Sequence, residues 1–311
     1  MPGPTGHQGR ISNRDDRRES GYSMTANTKI AVIVDAGCDL PQAYKDRADV
    51  FELPFHVIYG DQDLVAGVDI STDELIERLP EAIPTTSLPS GDDITSVFNV
   101  VREGGFSQVI VINISAHLSG THNMINLMVK DIPDLDIFTF NTKNIGIGAG
   151  FFALDVIHKI DEGASFEQIC PYLDRQLTKS KVFFAVDTLE YLQKGGRIGL
   201  VASLLGTALR IKPVISCNEE GIYYTVKKTR GRRQSLAQII EQVQAFAQES
   251  DHYMAAICSS SEPAEEAEVQ DKLTALLHPE KPIFKAILDP ALAVHTGPGL
   301  IGAGVYHIGT I

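Results

Sequence analysis

The spacing of apolar and polar positions changes several times along the chain, and each change predicts an element. KIAVIVDAG, from Lys29 to Gly37, is a short β-branched run ending at Asp and Gly, as buried strands of parallel sheets do. A polar helix is expected near Pro41. The runs DVFELPFHVIY, SQVIVINIS and LDIFTF then alternate with DDITSVFNVVREGG and GAGFFALDVIHKIDEG, which carry helical periodicity. Such alternation predicts an open, mostly parallel α/β domain. Ligands of these sheets bind beyond the carboxyl ends of the strands, where the loops DAGCD, TTSLPSG and SAHLSGT are expected to gather.

After about Ser180 the texture changes. KVFFAVDTLEYL leads to a glycine turn. VISCNEEGIYYTVKKT reads as a hairpin around Glu-Gly, SLAQIIEQVQAFAQES as a long helix, and YMAAICSS and PIFKAIL as strands. Strand pairs mixed with helices predict a smaller α+β domain. With 311 residues, two domains of roughly 150 residues are expected, divided as 29–178 and 179–311. Residues 1–28 lack aliphatic periodicity and any apolar h-region, so a disordered tail is expected in place of a signal peptide, with Met24 as an alternative start. No window approaches the roughly 18 uninterrupted apolar residues of a membrane span.

Charge narrows the partners. Forty Asp and Glu stand against 27 Lys and Arg, which disfavours a general attraction to nucleic acid or to anionic membrane. Cys38, Cys170, Cys217 and Cys258 form no C-x-x-C, against a zinc ribbon or redox pair. A reduced, cytoplasmic protein is the economical expectation.

Several motifs exclude chemistry. GIGAG, Gly146 to Gly150, fails the dinucleotide spacing because Phe151 takes the last position, and helix–sheet packing explains it better. There is no P-loop, and Ser119 stands outside any G-x-S-x-G elbow. His117 and His122 lack a third ligand at a helical spacing, so no metal is assigned. What remains is a set of hydroxyl- and glycine-rich turns. Ser119-Gly120-Thr121 opens a helix, where hydroxyls either cap the first turn or help its free amides hold an anion. TTSLPSG repeats the theme, although turn chemistry alone accounts for Ser90 and Gly91. HTGPGLIGAG places His295 before Gly297, Gly299, Gly302 and Gly304, a density pointing to backbone passing close to another segment or a ligand. Two basic elements, QKGGRIG with Arg197 and KKTRGRRQ with Arg230, are either solvated faces or docking patches for an acidic partner.

The succession TTSLPSG, SAHLSGT, DTLEYLQKGGRI, IKPVI followed by KKTRGRR, and HTGPG resembles the DegV family, the fatty-acid-binding subunits of bacterial fatty acid kinase, from about Lys29 to Ile308. The resemblance implies one fatty acid in an apolar tunnel between the two domains. It places Thr86, Ser119 and His295 on the carboxylate, with Ser87, Gly120, Thr121, Gly297 and Gly299 in the supporting loops. Arg197 and Arg230 fall on the family's arginines at the mouth that face the kinase. A separate kinase would supply ATP and metal, so no cofactor is expected here. DAGCD departs from the pattern, offering Ala36, Gly37 and Cys38 where many members carry hydroxyls. Burial of the acyl chain at about 0.8 kcal/mol per CH₂ would leave the head group only to orient. The competing expectation is a serine acyl hydrolase using Ser119 and His295, for which no third triad member is identifiable.

Overall fold

A computed structural model describes residues 29–206, 211–277 and 282–311. The tail expected over residues 1–28, and Met24 with it, lie outside the described residues. In chain order the first strands are β1 Ile30–Asp35, β2 Val50–Leu53, β3 His56–Tyr59, β4 Gln62–Val65, β5 Thr85–Ser87, β6 Gln108–Asn113 and β7 Asp136–Asn141. They are followed by β8 Ser180–Ala185, β9 Val214–Cys217, β10 Tyr223–Lys227, β11 Tyr253–Ser259, β12 Phe284–Lys285 and β13 Ile301–His307. The helices are α1 Gln42–Lys45, α2 Thr72–Arg78, α3 Gly91–Glu103, α4 Thr121–Met128 and α5 Ile147–Asp161. Later come α6 Phe166–Gln176, α7 Glu190–Lys194, α8 Arg232–Ala247, α9 Pro263–Leu277 and α10 Pro290–Thr296.

The first sheet is parallel, in the order β2-β1-β6-β7. Its alternating side chains serve two cores. Ala31, Ile33, Val109 and Val111 meet Ile94 and Phe98 of α3 and Ile125 of α4. Val32, Val34, Ile110 and Ile112 face the other way, toward Phe152 and Val156 of α5. The second sheet has the order β10-β9-β8-β13-β11-β12 and is antiparallel except between β11 and β12. Phe183, Ala303 and Ala255 on one face pack on α8 and α9, while Val182, Phe184 and Ala256 on the other turn toward α5.

Helix α5 therefore lies between two sheets, which is why Ile147 to Ile157 is buried all round. Its glycines permit the approach: a Cβ on Gly150 would stand 2.2 Å from the Cys38 carbonyl oxygen. The packing expected for GIGAG is what the structure shows.

Three expectations need correction. DVFELPFHVIY is not one strand: Pro54 separates β2, in the parallel sheet, from β3, which joins a small antiparallel sheet ordered β4-β3-β5. Proline donates no ladder hydrogen bond, so the chain changes sheets there. TTSLPSG is not wholly a turn, because Thr85–Ser87 pairs with β3 as β5. The glycines of LIGAG are not turn residues either, since Gly302 and Gly304 lie within β13, between β8 and β11. Two apart, they share one face; a Cβ on Gly304 would sit 2.9 Å from the Phe151 ring.

The hairpin expected around Glu-Gly is β9–β10, with Gly221 at φ +85°. Helix α10 returns from the second half to pack on α2, α7, β3 and β5, which carries the end of the chain back to the loops of the first half.

Candidate functional site

A cavity lined mainly by apolar side chains lies between the two sheets, the kind of lining that small-molecule sites have. Ile114 and Leu118 follow the end of β6, and Ile145 and Ile147 follow β7, so one wall is built from segments beyond the carboxyl ends of the parallel strands. Phe184, Leu292 and Leu300 form much of the other wall. The loops gather as the strand pattern predicts. Asp35, at the end of β1, accepts from Asn113 Nδ2 at 3.1 Å and from the Ile114 N–H at 3.0 Å, tying the ends of β1 and β6 together.

Polar groups cluster in and beside its wall. The Thr86 Oγ1 of β5 lies 2.8 Å from His295 Nε2 near the end of α10, joining residues 209 positions apart. His295 Nδ1 is buried without a hydrogen-bond partner. It rests against Gly195, where an added Cβ would come within 2.0 Å of it. Burial, and then the Arg197 charge, push the His295 pKa down to about 4, so the ring is neutral at pH 7. Arg197 lines the cavity, donating from Nη1 to the Gly195 carbonyl at 2.7 Å and from Nε to the Leu118 carbonyl at 3.3 Å. Next to Leu118, Ser119 Oγ and Thr121 Oγ1 are 2.8 Å apart, and Ser119 Oγ also accepts from the Thr121 N–H at 3.3 Å. Gly120 starts α4 with room for Leu88 of the neighbouring loop, 3.5 Å from where a Cβ would be.

The other sequence candidates are dispersed. Ser87 points outward, its hydroxyl on the Leu88 carbonyl. Gly297 and Gly299 adopt φ +70° and +79° and abut the Tyr191 ring and the Asp187 carboxyl, so the backbone passes close to other chain segments. Arg230 is exposed. Its neighbour Arg232 is instead paired with Glu265 at 2.6 Å. His117 is exposed, and His122 is buried between Asn113 and Asn126. No cluster of potential metal ligands occurs among the described residues.

Ser119 and His295 do not form a nucleophile–base pair. Each is engaged elsewhere, Ser119 with Thr121 and His295 with Thr86, and no carboxylate orients Nδ1. A triad needs both contacts, so the geometry gives the hydrolase reading no support.

Sequence reasoning passed over three residues of the site: Gly195, Tyr223 and Asp39. Tyr223 lines the cavity from β10. Asp39 lines it too, from the turn after β1, and is 1 % exposed. Its Oδ1 accepts the Asp289 N–H at 2.9 Å, and the Asp289 side chain caps α10 by accepting from the Ala291 N–H at 2.8 Å.

Burial pushes the Asp289 pKa up to about 7. A carboxyl raised in the fold costs nothing below its unfolded pKa near 4, and its cost grows as pH rises toward 7, to on the order of a few kcal/mol. Asp289→Asn keeps the cap, since Asn and Asp cap about equally well. The variant is therefore expected to melt several degrees above the wild type at pH 8, the gap closing by pH 4. Calorimetry across that range checks it; a gap independent of pH would show that Asp289 is not buried in this state.

Two sheets with α5 between them, and a largely apolar cavity lined from both halves of the chain, define the fold and its candidate site. Residues 29–307 match the family model described as an uncharacterised protein, DegV family, and the chain belongs to the DegV family. It is 36 % identical over 280 residues to a DegV domain-containing protein of Clostridium perfringens, covering 89 % of this chain and 98 % of that one. A Clostridium acetobutylicum relative is 33 % identical over 278 residues, covering 89 % and 99 %. Among solved structures, a fatty-acid-binding DegV family protein from Thermus thermophilus superposes with a TM-score of 0.84 at 29 % identity, covering 90 % and 100 %. A stearic-acid-binding protein from Eubacterium ventriosum gives 0.80 at 29 %, covering 90 % and 98 %.

Proposed function

We propose that this protein binds one long-chain fatty acid, with the acyl chain in the cavity and the carboxylate at its opening. The observation that carries the reading is the placement of Arg197 and of His295, bonded to Thr86, in the wall of a largely apolar cavity. The fatty-acid-binding relatives from Thermus thermophilus and Eubacterium ventriosum support it. A neutral His295 donating from Nε2 would turn the Thr86 hydroxyl proton toward the carboxylate. Arg197 and the hydroxyls of Ser119 and Thr121 would complete the cradle. None of this requires a nucleophile, metal or cofactor.

On this reading the protein is a carrier and not an enzyme. It presents the carboxylate, in the cytoplasm, to a separate ATP-dependent fatty acid kinase and carries away the acyl phosphate. Arg197 then acts on the ligand, while the exposed Arg230 is left for docking the kinase. No helix among the described residues is long and apolar enough to cross a membrane.

Thr86→Val and Ser119→Ala each remove one charge-assisted hydrogen bond and are expected to lower fatty-acid affinity roughly tenfold to a hundredfold. If the double variant bound a fluorescent fatty acid as tightly as the wild type, the carboxylate would have to sit elsewhere. Charge reversal separates the two arginines. Arg197→Glu is expected to release the lipid, whereas Arg230→Glu should keep it and slow acyl phosphate production with kinase and ATP, since rim charges act mainly on encounter. Unchanged turnover of Arg230→Glu would leave it an ordinary surface charge.

A further inference from the structure

Asp39 is out of place in an apolar cavity wall. It is held at φ +49°, a conformation that Asp and Asn tolerate better than most residues. Oδ1 is satisfied by the Asp289 N–H, but Oδ2 is buried with no hydrogen-bond partner. An unpaired buried oxygen of this kind is destabilising and demands an explanation. The wall is also shaped around it. Gly146, at φ +57°, lines the cavity beside Asp39, and a Cβ there would come within 2.9 Å of Oδ2. No side chain of the protein at that position could stand against the carboxyl oxygen.

Two further polar groups, the Tyr223 phenol and the Cys258 thiol, line the same cavity. Burial and the neighbouring Asp289 hold Asp39 well above the usual carboxylate range, so it is a carboxylic acid with a proton to donate. A plain polymethylene chain leaves this oxygen unpaired when it fills the cavity. A hydroxyl, with one donor and two acceptor sites, can pair with it. Sites that pair a ligand hydroxyl discriminate against the analogue lacking it, because their own polar groups are then left unsatisfied.

We infer that Asp39 is a specificity residue for an oxygen function on the acyl chain, and that the preferred ligand is a long-chain fatty acid with an in-chain hydroxyl. This rests on the fatty-acid reading above. It assigns the head group to Thr86, His295 and Arg197, and the in-chain oxygen to Asp39.

The test compares delipidated full-length protein binding to octadecanoic acid and to 18-carbon acids hydroxylated singly along the middle of the chain. One hydroxyl position is expected to bind about tenfold tighter than octadecanoic acid, and positions several carbons away should show no gain. Asp39→Asn, which keeps an acceptor for the Asp289 N–H and an N–H in place of the acid proton, is expected to retain the preference. Asp39→Ala should abolish it. If Asp39→Ala fails to fold, the positional series with the wild type decides alone. Octadecanoic acid binding as tightly as every hydroxylated isomer, or a preference that survives in Asp39→Ala, overturns the inference while leaving the fatty-acid reading intact. No binding of any of these acids overturns both.

Discussion

Cys258→Phe is expected to lower affinity for an 18-carbon fatty acid by at least a thousandfold while leaving the protein folded. Cys258 lines the cavity at the end of β11, beside Gly302 of β13, whose added Cβ would lie 3.0 Å from the thiol sulfur. A phenylalanine ring there would project into the cavity and occupy the path of the acyl chain. Excluding even six methylenes at about 0.8 kcal/mol each forfeits about 5 kcal/mol, more than three powers of ten in affinity. Removing one head-group hydrogen bond costs less, so the ranking of variants is itself a result: the cavity substitution should exceed Thr86→Val and Ser119→Ala. Titration with a fluorescent fatty acid, alongside circular dichroism, measures both. A folded Cys258→Phe of unchanged affinity would place the acyl chain outside this cavity.

Gly195→Ala is expected to reduce affinity about a hundredfold without deleting a polar group. Gly195 has φ −76°, where alanine is at ease, so the substitution adds no backbone strain. Its effect is steric. The new methyl would stand 2.0 Å from His295 Nδ1 and 2.8 Å from Cε1. The imidazole must shift, and the 2.8 Å contact with Thr86 is lost. Both His295 and the orientation of Thr86 are then disabled, and two weakened charge-assisted hydrogen bonds amount to about two powers of ten. Gly196→Ala is the control. At φ +72° with nothing within 4 Å of the added Cβ, it should cost stability of about 1 kcal/mol through backbone strain while leaving binding intact. Equal binding by Gly195→Ala and the wild type would mean that His295 does not orient the head group.

These effects also show where local sequence patterns stop carrying information. The parallel strands were legible because β1 and β6 are buried on both faces and read as continuous apolar runs. Helix α5 was legible for the same reason. The short β5 escaped notice because Thr85–Ser87 has no apolar signature and is a strand only through its pairing with β3. In β13 two glycines disguised a central strand, although their spacing of two, set among Ile301, Ala303 and Val305, was the available signal.

The site divides in the same way. Thr86 and His295 stood out as members of motifs, yet their contact depends on α10 folding back onto the first half of the chain. Arg197 read as a surface cation, but the backbone carbonyls of Leu118 and Gly195 draw it to the cavity wall. DAGCD stands out in the sequence for the hydroxyls it lacks. Its closing Asp39 gave no local sign of being buried, because the Asp289 N–H it accepts lies 250 residues away. Gly195 had only the Gly-Gly doublet to mark it, and the reason for that glycine is a histidine a hundred residues on.

Native mass spectrometry of the full-length protein, purified without delipidation and sprayed under gentle conditions, tests the central claim most directly. One lipid-sized mass per chain is expected, identifiable as a long-chain fatty acid after release and absent from Cys258→Phe. Wild-type protein that carries no such mass, and that takes none up when incubated with long-chain fatty acids, would contradict the account.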